Sequence, residues 1–430
     1  MAALLSKTTV IAIEEEGVYG EGPARDFTKT DTLVSATDSV VLDAHTGTNP
    51  TGVVSEATIK VYLDVGTTSG SVDSTDTLLT YGTDYTVVTT STETTVVFLS
   101  GGSQVGTEDV VIIYGIFEDA DSILFDVGGY FDSTIEEITP NTANGQYITC
   151  PSLAGQETSS ASLTFDLKML STQPGSSVGM LQNHDMIKNA LGYYSAISAD
   201  VNKTTGTITE NTGAGAYDLY RFAKVGETIT SLAARQYLGS SAAACEDFFG
   251  VMAEGITMNM NTADLVKFDI PLQGINFTTV SETYGDPHVL SGQSCGTGSF
   301  VGKRAIFTIN DVSYDVTNLS FNPSNTLRDS NSVTSSGIYR KTITEKMLEG
   351  SFDFEIEDTS LLATFKNNTS AEIYFELTNT DGDEIIVYFP NIRITQIGRT
   401  DDAGVIVQNT TFKAFMDANN NAFYMATKAA

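Results

Sequence analysis

Apolar and polar residues alternate over most of this chain, the two-residue period of a β-strand with one buried face. From about Thr32 to Asp119 short alternating runs recur every ten or so residues, separated by turn residues. They are Ser39–Asp43, Ala57–Asp64, Asp84–Thr89, Thr94–Leu99 and Asp109–Phe117, a spacing that predicts a small β-sandwich. Before it come a strand-like run, Thr8–Ile13, and a Gly-punctuated arm through Glu16-Gly17-Val-Tyr19-Gly20. After it, Ser160–Leu167 and Gly350–Ile356 alternate in the same way. Helical spacing is confined to two short stretches. Gln182–Leu191 stops at Gly192, a C′ residue, and Thr359–Lys366 follows Asp358 as its N-cap. Leu232–Phe249 reads as strand, loop, strand. Two Gly/Ser-rich stretches, Gly285–Gly302 and Ser324–Gly337, read as long loops.

Two segments read alike. Each opens on Asn-Thr, crosses a short acidic turn, climbs an alternating strand, meets a Pro and continues into another strand. One starts at Asn261 and reaches Pro271; the other starts at Asn379 and reaches Pro390. The alternating strands before the two helices are 189 residues apart, whereas the Asn-Thr turns are 118 apart. The first half therefore holds extra material between Gly192 and Gly255. A duplicated β unit with no chemistry in it points to assembly.

Composition narrows the reading. The net charge of −32, from 54 acids and 22 bases, repels phosphate backbones and anionic membranes. It serves solubility, or forms a wall past which DNA slides without sticking. The segment from Thr32 to Asp119 holds twelve acids and one base, Lys60. Cys150, Cys245 and Cys295 are odd in number and far apart, forming neither a disulfide framework nor a metal knuckle. The N-terminal run lacks a basic region before its apolar residues and is read as no signal peptide. No apolar run approaches the roughly 20 residues of a membrane span.

Motifs for chemistry are weak. Gly175-Ser176-Ser177-Val178-Gly179 matches a nucleophile elbow, with Ser177 as nucleophile and His288 after Asp286-Pro287 as its base. That fold needs a parallel sheet alternating with helices, which the pattern lacks, so the stretch reads as a loop before a helix. Asp381-Gly382-Asp383-Glu384 reads as a hairpin turn rather than a calcium loop. Gly296–Gly302 misses the dinucleotide spacing by one residue. Glu14-Glu15-Glu16 and Glu136-Glu137 read as solvated edges that discourage wrong pairing. His45, His184 and His288 share no metal spacing. The expectation is a protein without catalytic, cofactor or metal residues, and not an enzyme.

Tyr81-Gly-Thr-Asp84-Tyr85 and Gly106–Tyr114 resemble the immunoglobulin-like modules of phage virion proteins, without a Trp or a Cys pair. The remaining 340 or so residues resemble the major tail tube proteins of long-tailed, siphovirus-like bacteriophages. The carrying features, in order, are the arm at Glu16–Gly20, the strand Ser162–Leu167, the helix ending Ala190-Leu191-Gly192, Gly255–Asn259 with its Asn261 hairpin, and Pro390–Ile394 followed by Val405–Phe415. The resemblance implies a mainly β chain. Residues 1–31 and 120–290 would form a first tail-tube β-sandwich or barrel with a short helix, and 291–430 a second. An inserted immunoglobulin-like decoration would occupy 32–119. It further implies a virion structural protein of the tail, made in the host cytoplasm. Its copies would form rings that stack into a tube through which DNA passes on ejection. Partners would be further copies of itself, tape measure protein and viral DNA in the lumen without specific binding, and other tail proteins at the tube ends, with no membrane. Two tube domains per chain would make the ring a trimer with approximate six-fold symmetry; one would make it a hexamer. The alternative is another β-rich virion or surface protein, a capsid decoration or an adhesin.

Overall fold

The computed structural model describes residues 9–16, 26–32, 39–42, 59–63, 77–81, 83–89, 94–99, 109–115, 125–126, 128–138, 153–170, 175–211, 213–224, 226–238, 245–262, 264–280, 298–302, 305–331, 338–355, 360–402 and 405–430. The described chain is mainly β, and its strand neighbours pair antiparallel. None of the described helices is long and apolar enough to cross a membrane.

Seven short strands form a sandwich with its own core. One sheet holds Asp26–Thr32, Asp109–Gly115, Lys60–Leu63 and Thr77–Leu78; the other holds Ser39–Leu42, Thr94–Phe98 and Tyr85–Thr89. Alternate residues of both sheets, among them Val40, Leu42, Val61, Val96, Phe98, Val110 and Ile112, meet in one buried cluster. The period-2 runs locate five of these strands to within a few residues; Asp26–Thr32 and Thr77–Leu78 lie outside them. Asp26–Thr32 pairs along its length with Asp109–Gly115, so the sandwich takes in residues before Thr32.

The rest of the chain builds a front sheet and strands packed behind it. Eight strands make the front sheet, in the order Asp132–Ile138, Leu153–Asp166, Lys267–Gly274, Thr257–Asn261, Val316–Asn331, Ile338–Glu355, Val405–Ala414 and the end of Glu384–Asp402 from Ile392. Behind its first half lie Thr9–Glu15, Leu232–Leu238, Cys245–Ala253 and Asn276–Val280. Behind its second half lie Ala305–Ile309, Ala371–Thr378, the start of Glu384–Asp402 and Tyr424–Lys428. The inward residues of all three sets, from Ile11 to Met425, form one continuous core, with Met186, Ile187, Ala190 and Leu191 of the helix His184–Leu191 and Leu361 of the helix Ser360–Lys366. The two halves share this core instead of each burying its own.

The pairing pattern occurs twice. In the first half, Thr9–Glu15, Leu232–Leu238, Cys245–Ala253 and Asn276–Val280 pair in that order. In the second, Ala305–Ile309, Ala371–Thr378, Glu384–Tyr388 and Tyr424–Lys428 do the same. The front strands repeat likewise, four and four. This register changes the meaning of the look-alike segments. The Asn261 turn joins two front strands, whereas the Asn379 turn joins two back strands. Its true counterpart is the connection after Leu238, and the counterpart of the Asn261 turn is the one after Asp402. Alternation, an acidic turn and a Pro are generic to hairpins, so the resemblance of those two segments does not mark equivalent positions.

Other expectations change for local reasons. Val316–Asn331 is continuous strand, so Ser324–Asn331 is not loop. Ser324, Asn325 and Thr326 pair with Met347, Lys346 and Glu345, and polar side chains serve a strand with one wet face. The helix His184–Leu191 ends as read: Gly192 has φ +95° and its N–H returns to Lys188. Leu232–Leu238 and Cys245–Ala253 are the strand pair expected there. Asp358 lies outside the described residues. The extra material after Gly192 forms strands Gly192–Asn202, Thr207–Glu210 and Tyr217–Phe222, which add to Tyr424–Lys428 of the other half. Their side chains meet Tyr374, Ile386 and Tyr388 in a second buried cluster, so this addition straps the halves together.

At the seam between halves, Met258 lies opposite Phe321, whose ring sits 5.6 Å from Phe389 and 5.8 Å from Phe423. Phe321→Ala is expected to cost about 3–5 kcal/mol, the usual range for emptying such a site. Asn322→Ala, on the exposed face one residue away, should stay within about 0.5 kcal/mol. Denaturant unfolding of both variants measures the difference.

Candidate assembly surface

The front sheet turns its aromatic and aliphatic residues inward and a polar face outward. Cross-strand neighbours on that face are joined by side-chain hydrogen bonds. Ser162 and Thr164 donate to Asp269 Oδ1 at 2.8 and 3.2 Å. Ser320 Oγ donates to Asn259 Oδ1 at 2.9 Å. Asn318 and Asn409 donate from either side to Asp353, at 3.3 and 2.9 Å. Thr400 Oγ1 donates to Asn409 Oδ1 at 3.2 Å, and Thr395 and Thr411 share a bond of 2.9 Å. The Ser320–Asn259 bond carries this pattern across the seam. On the core side of the sheet Gly350 leaves room for the Phe412 ring, which any Cβ there would meet at 2.4 Å. The polar face carries a depression of about 350 Å³ lined by Ser320, Asn322, Ser351, Thr411 and Lys413.

Two lysines of this face are paired. Lys267 Nζ lies 2.6 Å from Asp126, and Lys413 Nζ 2.5 Å from Glu349. Its hydrogen bond to Asp126 holds the Lys267 ammonium above its ordinary pKa. A phosphate backbone meets paired lysines, hydroxyl and amide groups and the carboxylates of Asp269 and Asp353 here, a surface with little to hold it.

Among the described residues both ends of the front sheet are open: Asp132–Ile138 pairs only with Leu153–Asp166, and the Ile392–Asp402 segment, beyond its first residue, only with Val405–Ala414. Ile135, on the core side of the first edge, is 48% exposed. Asp132 and Glu136 are exposed on that edge, Arg393, Arg399 and Asp401 on the other. An even number of antiparallel strands leaves the outermost two running in opposite directions. A second copy joined head to tail therefore continues the antiparallel alternation. Long open edges are a pairing template unless covered.

The residues weighed for chemistry are placed as follows. Gly175–Met180 is the loop before the helix. Ser177 Oγ donates to Asp218 Oδ2 at 2.5 Å, and Asp218, fully buried, also accepts from the N–H groups of Val178, Gly179 and Ile197 and from Tyr194 OH. Asp218 thereby gathers the loop and the bulged strand around one carboxylate, a holding role. His184 Nδ1 bonds Tyr220 OH at 2.9 Å, not Ser177. His45, His288 and Asp286 lie outside the described residues, as do Cys150 and Cys295; Cys245 is buried. Asn379 Oδ1 accepts from the N–H groups of Asp381 and Asp383, which makes that stretch a hairpin turn. Glu384 pairs with Lys203. No metal-holding cluster occurs among the described residues. The glutamates of the arm are not a solvated edge. Glu16 is buried and takes bonds from Gly250 N and Ser231 Oγ, and Glu15 pairs with Lys188 at 2.7 Å.

Sequence reading did not find the polar ladder. Its signal is present in runs such as Thr257–Asn261, where Met258 and Met260 alternate with Thr and Asn. Which strand lies beside which is not written there.

Burial, with the nearby Lys188 ammonium, pushes His184 down to about 3. Between pH 6.5 and about 3 the unfolded chain binds this proton and the folded chain does not. The contribution of neutral His184 is therefore complete above pH 6.5 and lost as pH falls through that window. His184→Asn should flatten the fall in stability over this range, measured by urea unfolding at stepped pH. The chain matches no protein-family model, and no curated protein matches it.

Proposed function

We propose that this protein is the subunit of a phage-type tail tube: its copies join edge to edge into rings, and the rings stack into a conduit for DNA. The observation that carries the reading is the antiparallel front sheet, eight-stranded among the described residues, with one greased face, one hydrogen-bonded polar face and two edges that pair there on one side only. Closure into a barrel removes such edges and leaves the polar face lining the lumen. Paired lysines and the carboxylates of Asp269 and Asp353 on that face favour passage of DNA over retention. The twofold pairing pattern supports three chains per ring, each supplying two of six positions.

In this reading the Asp26–Gly115 sandwich is an immunoglobulin-like decoration. It occupies the connection from a back strand to a front strand. In the second half the same connection holds only the short strand Val312–Ser313. An insertion there leaves both sheets intact.

Purified full-length protein is expected to form rings or tubes in negative stain, with a mass of three chains for the smallest closed particle by native mass spectrometry. A chain that stays monomeric across salt and concentration overturns the proposal.

A further inference from the structure

The seam inside one chain specifies the seam between chains. Resting on the tube reading, we infer that the edge Ile392–Asp402 of one copy pairs antiparallel with Asp132–Ile138 of the next, in the register already used between Thr257–Asn261 and Val316–Asn331.

The register follows from the repeat. Phe165 lies opposite Phe268, which lies opposite Met258. In the second half, Phe354 lies opposite Gln408, which lies opposite Arg399. Arg399 thus stands where Met258 stands, Ile397 where Ile256 stands, and Gln396 where Gly255 stands. On the other side, Ser160 faces Asp132 as Glu349 faces Asn322. Ser133 then corresponds to Pro323, and Thr134 to Ser324. The internal seam places Gly255 opposite Ser324, with Ile256 N bonded to Pro323 O at 2.9 Å and Asn325 N to Glu254 O at 2.6 Å. Carried between copies, Gln396 faces Thr134, and Ile397 N–H donates to Ser133 O.

Three observations fit this pairing. The register brings the exposed Glu136 of one edge toward the exposed Arg393 of the partner strand. The exposed Ile135 corresponds to Asn325, which is 6% exposed at the internal seam, so the same contact covers it. The strand directions are already antiparallel. The joint is head to tail, so it repeats around a ring rather than stopping at a dimer.

In the internal seam Gly255 and Ser324 are a pair without direct hydrogen bonds between them, the kind whose side chains approach most closely. Thr134→Cys with Gln396→Cys therefore places two thiols within disulfide reach across the joint. The full chain carrying both is oxidised and run on a non-reducing gel. Each single substitution serves as control for the native cysteines. Thr134→Cys with Gly398→Cys tests a two-residue slip. The expected result is loss of the monomer band to covalent products of two and three chains and no more, absent from the singles and the slipped pair. Cross-linking of the slipped pair instead overturns the register. Rings in the microscope with no cross-link from either pair overturn the edge pairing and leave the tube reading standing. Products beyond three chains overturn closure at three. Neither rings nor cross-links removes both readings together.

Discussion

The structure depends on one antiparallel contact, between Thr257–Asn261 and Val316–Asn331. It joins four front strands of one half to four of the other. Because side chains alternate across a strand, its register decides two things at once. It sends Met258, Met260, Leu319 and Phe321 into the shared core and leaves Asn259, Asn261, Asn318 and Ser320 on the polar face. A slip of one residue would exchange the two sets. The core, the ladder and the alignment of the back strands all inherit that choice.

The halves are bound by more than this seam. The strands from Gly192 to Phe222, which the second half lacks, extend its back sheet and cover the outward side chains of Tyr374 and Tyr388. Lys203 bonds Glu376 and Glu384 of that sheet, and Tyr217 OH donates to Glu384. Burial with that carboxylate pushes Tyr217 up to about 12. Arg221, over the Tyr193 ring and bonded to Glu210 and Glu227, anchors the root of the addition. This addition fixes one joint of the chain permanently and holds the strands of the two sheet edges at a set relative geometry.

Much of this was legible beforehand. The sandwich strands, the helix stop at Gly192 and the strand pair around Gly239 follow from period, caps and turn residues, which act within a few neighbours. The Asn379 turn is readable for the same reason, since its hydrogen bonds are local. What misled was also local. Ser324–Asn331 looks like loop because Ser, Asn and Thr are loop residues when nothing pairs with them. The arm glutamates look solvated because burial by Gly250 and Ser231 comes from more than 200 residues away.

The sequence by itself determined that this is an acidic β protein with two short helices, an early sandwich and repeated alternating strands, because alternation, capping and charge are properties of adjacent residues. Only the tertiary structure decided which strands are neighbours. It set the repeat between hairpins that do not look alike, merged two halves into one core, assembled the polar ladder from seven separate strands and, among the described residues, left two edges unpaired. The physical reason is that hydrogen bonding between strands is blind to side-chain identity. Partners are chosen by which faces can be buried together over the whole chain.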